Sequence, residues 1–180
     1  MSSAQHVDPD WPLRSPSSHR ARASVVRLGS LPESSEQDLR FVQDRIALYC
    51  KTTFLIAGMF LVVAATADLL RGVSRMSPFG RVSHLVGTLI ALAVWRIADS
   101  RRSFSPRTLQ ALDVVGTLGF CVCFEFMGHY SIQPYGFYTA MLAVTHVSVS
   151  RAMIVPSVPW RTFWLGVASF VGILVSRACV

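Results

Sequence analysis

The stretch LYCKTTFLIAGMFLVVAATADLL, residues 48–70, decides the fold. About 20 consecutive apolar residues at ~1.5 Å per residue match the ~30 Å hydrocarbon thickness of a bilayer. The stretch therefore predicts a transmembrane helix, with Lys51 near enough to one end to snorkel and Asp68 near the other.

Working outward, four more apolar runs follow, at about 82–98, 109–127, 135–155 and 162–178. The breaks between them are turn-rich or basic: Arg71 to Gly80, Asp99 to Pro106, Gly128 to Pro134, and Pro156-Ser-Val-Pro159. Ser105-Pro106 is a step that opens a helix, because proline is preorganised for the first helical position. Upstream, Ser34 to Asp38 offers an N-cap, and Leu39, Phe41, Val42 and Ile46 fit an amphipathic lead-in at the membrane surface. Residues 1–38 are rich in Ser, Pro and Arg, bury too little apolar surface to offset chain entropy, and are expected to be disordered. They contain no apolar signal-peptide segment, so targeting falls to the first span. The fold class is thus all-α: a polytopic membrane helical bundle of about five transmembrane helices in residues 39–180, behind a disordered arm.

Composition agrees. Of 180 residues, 52% are hydrophobic and the mean hydropathy is +0.44. Charged residues are 15%, against roughly 25% in soluble globular domains. The net charge of +7 comes from arginines that flank apolar runs, Lys51 being the only lysine. That is the pattern of membrane-end anchors, not of a folded basic face, so nucleic acid is not an expected partner. Counting arginines over the short loops places the N-terminus in the cytoplasm: the arm, 99–107 and 155–161 lie inside, and the uncharged 128–134 loop lies outside. The basic 71–81 connection then falls outside, against the rule.

Ionisable residues within spans are costly and are the candidate functional positions. Glu125 and His129 stand four residues apart on one helix face. They suit a proton-accepting pair, an external cation site, or a polar cluster that pins helices together, the last being the commoner role. Asp113 lies twelve residues before Glu125, an offset of roughly 120° on a regular helix, and is expected to pair with an arginine such as Arg107. Arg151 is expected to snorkel toward the interface. His146 lies deeper, where the open chemistries are haem ligation, pH sensing and helix–helix hydrogen bonding. Cys121 and Cys123 point about 200° apart, so they cannot grip one metal ion together, and the cysteines are read as buried, inert thiols. Gly87, Gly116 and Gly119 fit close helix packing. The chain has no P-loop, dinucleotide-binding glycine motif, kinase catalytic string, zinc-protease motif or nucleophile elbow. No catalysis, cofactor or metal is expected.

Three stretches carry a resemblance: DLRFVQDRIALY at 38–49, HLVGTLIAL at 84–92, and RAMIVPSVP at 151–159 followed by Arg161-Thr162. Over roughly residues 38–170 the chain resembles the multi-span membrane region of bacterial, especially myxobacterial-type, serine/threonine protein kinases. The kinase domain of that family is missing here, so no catalytic residue carries over. What the resemblance implies is a sensor or anchor module in the bacterial cytoplasmic (inner) membrane, working with a signalling kinase or with a second copy of itself. A small transporter or channel is the alternative, for which only Glu125 and the Pro156/Pro159 break speak.

Overall fold

A computed structural model describes residues 36–72, 76–132 and 134–178. The predicted arm lies outside the described residues as far as position 35, and Glu36 to Asp38 already belong to the first helix. Among the described residues the chain is helical, with no strand beyond one isolated antiparallel bridge between Met76 and Ser131.

Five helices follow one another among the described residues. Helix α1 is Glu36–Arg71, α2 is Pro78–Ala98, α3 is Pro106–His129, α4 is Tyr135–Ile154 and α5 is Pro159–Ala178. Three of them, α1, α2 and α3, are long and apolar enough to cross a membrane. The amphipathic lead-in and the first span are a single helix, since no Gly or Pro interrupts the run between Leu39 and Leu48. At about 54 Å, α1 is longer than a bilayer core is thick.

The termini have local causes. Gly72 adopts φ 64°, the left-handed conformation that closes α1 and that residues with a Cβ rarely take. Helix α2 starts a turn earlier than its apolar run, because the Ser77 hydroxyl accepts from the Gly80 amide and Pro78 fills the first position. Ser105 and Pro106 do the same for α3. Between α3 and α4 the chain doubles back so tightly that a Cβ on Gly136 would sit 2.2 Å from the Gly128 carbonyl oxygen.

Helix α1 buries one stripe: Val42, Ile46, Tyr49, Cys50, Thr53 and Ala57. That spacing follows the 3.6-residue turn and meets α2 and α3. Helix α3 is the central element, and half of its most apolar window is buried, against 11% for α1. In its middle, Val115–Gly119 forms a π turn. Small residues let the neighbours come close there: Gly116 lies against Cys50 and Val94, and Gly87 of α2 against Cys123. The Tyr49 hydroxyl reaches Thr117 Oγ1 at 3.4 Å, tying α1 to the π turn.

The helix order brings the start of α1, the end of α2, the start of α3, the end of α4 and the start of α5 to one end of the bundle. Polar side chains clasp that end. Gln43 Nε2 donates toward the carbonyls of Ala98, Ser100 and Arg102, at 2.8, 3.0 and 3.1 Å. These are the carbonyls that a helix C-terminus and its following turn leave without intrahelical partners. Arg40 donates to the Arg101 carbonyl, and Ser103 donates to Glu36 at 3.1 Å. The far end is held by an Arg81–Asp68 ion pair at 2.8 Å.

Candidate functional site

Asp113 is the centre of the clasped end. It sits two residues before the π turn and is fully buried, at 0% exposure. Arg151, at the last turn of α4 and 1% exposed, meets it side-on: Nε donates to Oδ1 at 2.9 Å and Nη2 to Oδ2 at 2.7 Å. Arg161, in the first turn of α5, places Nη2 3.2 Å from Oδ2 and also donates to the Gln110 carbonyl at 3.0 Å. Arg151 Nη1 donates to Thr162 Oγ1 at 3.3 Å, and Thr162 in turn hydrogen-bonds Ser157. One carboxylate thus holds two guanidiniums from two other helices.

Planar, two-point pairing is the geometry in which a guanidinium–carboxylate contact is strongest. The cluster carries a net charge of +1, because Asp113 offsets only one of the two arginines. A buried ion pair adds little over an apolar replacement, yet removing one partner leaves an uncompensated charge. Such a cluster fixes how α3, α4 and α5 seat on one another more than it raises stability.

The expected Arg107 partner is not the one found. Arg107 is exposed, and six residues on a regular helix turn about 240°, so it faces away from Asp113. Nor does Arg151 snorkel: the Pro156–Pro159 break returns the chain as α5 beside it, and Asp113 and Thr162 take its donors.

The 120° offset between Asp113 and Glu125 also fails. Both side chains face α5, Asp113 at Arg161 and Glu125 at Gly172, where a Cβ would fall 1.8 Å from Oε2. The π turn between them takes up about one extra residue, setting the face back by roughly 100°. Apolar composition gives no sign of that shift. Glu125 and His129 share a helix but no hydrogen bond or ion pair joins them; His129 is exposed and lies edge-on to the Tyr130 ring at 5.1 Å. His146 is half-buried, with Nε2 3.5 Å from Ser150 of its own helix. Of the five sequence candidates, the structure brings Asp113 and Arg151 together and leaves Glu125, His129 and His146 apart from them.

Sequence reasoning missed Gln43, Arg161 and His84. Gln43 and Arg161 flank apolar runs, and only the packing shows what they hold. His84 is 3% exposed, with Nε2 3.1 Å from the Ala57 carbonyl oxygen and its ring edge-on to Phe124 at 4.7 Å. Cys50 and Cys121 are buried free thiols, Cys123 is a free thiol only half-buried, against the expectation, and Cys179 lies outside the described residues. Among the described residues no group of three or more His, Cys, Asp or Glu is arranged to hold a metal ion. No protein-family model matches the chain, and neither a curated protein nor a solved structure matches it.

Proposed function

We propose that this chain is a five-span sensor or anchor module of the bacterial inner membrane, cytoplasmic at its N-terminus, coupled to a serine/threonine kinase and without catalysis of its own. The observation that carries it is the Asp113–Arg151–Arg161 cluster beside the π turn. Three helices depend there on one carboxylate, and a π turn is a common place for a helix to change register at a functional site. A small displacement at that carboxylate re-seats α4 and α5 together. A module with two packings a few kcal/mol apart needs no more than this to transmit a signal.

Helices α4 and α5 have 20 residues each, enough for about 30 Å. Thr145, His146, Ser148, Ser150 and Arg151 dilute the apolar character of α4, but Arg151 is paired with Asp113 within the bundle. The clasped end carries Arg40, Arg96, Arg101, Arg102, Arg107 and Arg161, which supports a cytoplasmic assignment for it. A transporter or channel draws less support, since Asp113, Arg151 and Arg161 are locked in one cluster.

Reporter fusions test the topology: activity of a cytoplasmic reporter at Ser103 and of an external reporter at Ser131 is expected, and the reverse pattern overturns the orientation. The coupling is tested by cross-linking the tagged chain in its native host. Recovery of a serine/threonine kinase by wild type, and a changed yield with Asp113→Asn, is expected. Recovery of the chain alone overturns the signalling role.

A further inference from the structure

A cleft of about 380 Å³ lies at the far end of the bundle, between the end of α1 and the start of α4. That volume is within the range of small-ligand sites. Its apolar lining comes from Ala64, Ala67, Met76, Met127 and Ile132. Two charged residues of α1 also line it, Asp68 and Arg71, three residues apart and so on one helix face.

The polar side chains of the lining differ in what they have left to offer a ligand. Ser131 donates its hydroxyl proton to the Met127 carbonyl at 2.6 Å, and Thr139 donates to the Tyr135 carbonyl at 2.8 Å. Asp68 already takes Arg81 Nη2 at 2.8 Å. Arg71 stands apart: it is exposed and forms no hydrogen bond or ion pair with any described residue, so all five of its N–H donors are uncommitted. Asp68 offsets only one of the two arginines 71 and 81, which leaves a surplus charge of +1 at this end of the cleft.

We propose that the cleft binds an amphiphilic anion, with an oxyanion head on Arg71 and an alkyl chain against the apolar lining. A guanidinium matches a carboxylate or a phosphate through two parallel N–H donors. Met76 and Met127 are unbranched and polarisable, and adapt to the shape of a chain. A cationic amphiphile meets like charge at Arg71, and an uncharged one leaves its donors unused. Helix α4 lines the cleft at its start, through Tyr135 and Thr139, and at its other end seats Arg151 on Asp113. A ligand wedged between α1 and α4 therefore pushes on the helix that the buried cluster holds. In the proposed orientation the cleft opens to the outside, and the inference rests on the sensor reading for this purpose, not for the binding itself.

The full chain in nanodiscs of phosphatidylcholine, titrated with octanoate by calorimetry against empty nanodiscs, tests this. Saturable binding of one octanoate per chain is expected, with 1-octanol, the same chain without a charge, about tenfold weaker or more. Arg71→Gln should abolish the preference for octanoate over octanol, and Ala67→Phe, which fills the cleft, should abolish saturable binding of both. No saturable binding, equal binding of octanol to wild type, or an unchanged preference in a folded Arg71→Gln chain overturns the site. The comparison of octanoate with octanol uses the wild-type chain alone, so it decides the matter even where a variant misfolds. Repeating it in nanodiscs that contain phosphatidylglycerol separates the sources of the anion. Loss of octanoate binding there assigns the site to a lipid headgroup, and unchanged binding assigns it to a free carboxylate. Topology and kinase recovery are read separately. A correctly inserted chain that ignores octanoate thus refutes the site alone, and one that binds octanoate but recovers no kinase refutes the signalling role alone.

Discussion

Asp113 and Arg151 are 38 residues apart in sequence and meet through two nearly parallel hydrogen bonds of 2.7 and 2.9 Å, both groups shut away from solvent. The pairing joins the start of α3 to the end of α4, and Arg161 extends it to α5. Its energetic character leads to the first prediction. Asp113→Asn should cost about 3–5 kcal/mol, the range for removing one partner of a buried pair. The double change Asp113→Leu with Arg151→Met should cost clearly less than the sum of its single changes. Reversible unfolding in mixed detergent and SDS measures both. A strictly additive double variant would show that the two residues are not coupled.

Gln43 is a cap supplied from another helix. Its amide has two hydrogens for three carbonyls, so the donors are shared, and all three acceptors lie at the end of α2 and the turn after it. Gln43→Ala should cost about 1–3 kcal/mol, the penalty for buried acceptors left unmatched. Gln43→Glu should cost more, because a carboxylate oxygen then faces carbonyl oxygens. Hydrogen exchange should accelerate at amides 99–103 and stay unchanged in α4. Uniform acceleration would mean global destabilisation rather than loss of a cap.

Two glycines separate hard from soft crowding. At Gly136 a new Cβ meets the Gly128 carbonyl oxygen at 2.2 Å, and backbone of a packed helix cannot step aside. At Gly172 the nearest atom is closer still, 1.8 Å, but it is the far end of the Glu125 side chain. Gly136→Ala should therefore cost about 1–3 kcal/mol through overpacking, and Gly172→Ala well under that. The order of the two melting temperatures in detergent decides the matter. The reverse order would mean that Glu125 is held in place by more than its rotamer.

Glu125 and His129 turn to different neighbours, one to Gly172 of α5 and the other to Tyr130. Stability changes of Glu125→Gln and His129→Ala should accordingly add within about 0.5 kcal/mol, as they do for residues that share no partner. A coupling larger than that would restore the paired site that their four-residue spacing points to.

Much of this protein is legible in its sequence. The apolar runs set where helices form, because backbone groups in an apolar phase must be satisfied within their own segment. Ser77-Pro78, Ser105-Pro106 and Gly72 fix termini through hydrogen bonds and backbone preferences that span only a few residues. The cost of burying charge made Asp113 and Arg151 candidates before any partner was known. Which arginine Asp113 takes, and that Glu125 faces the same helix as Asp113, only the tertiary structure decided. Both depend on the rotation of each helix about its axis, and α3 changes that rotation at Val115–Gly119 by about one residue. Hydrophobic composition is insensitive to such a step, since the residues on either side of the π turn are apolar in any phase. The same limit hid Gln43 and His84, whose partners are backbone carbonyls of α1, α2 and the following turn. A carbonyl is present at every residue, so sequence carries no mark of the one a side chain will find; packing does.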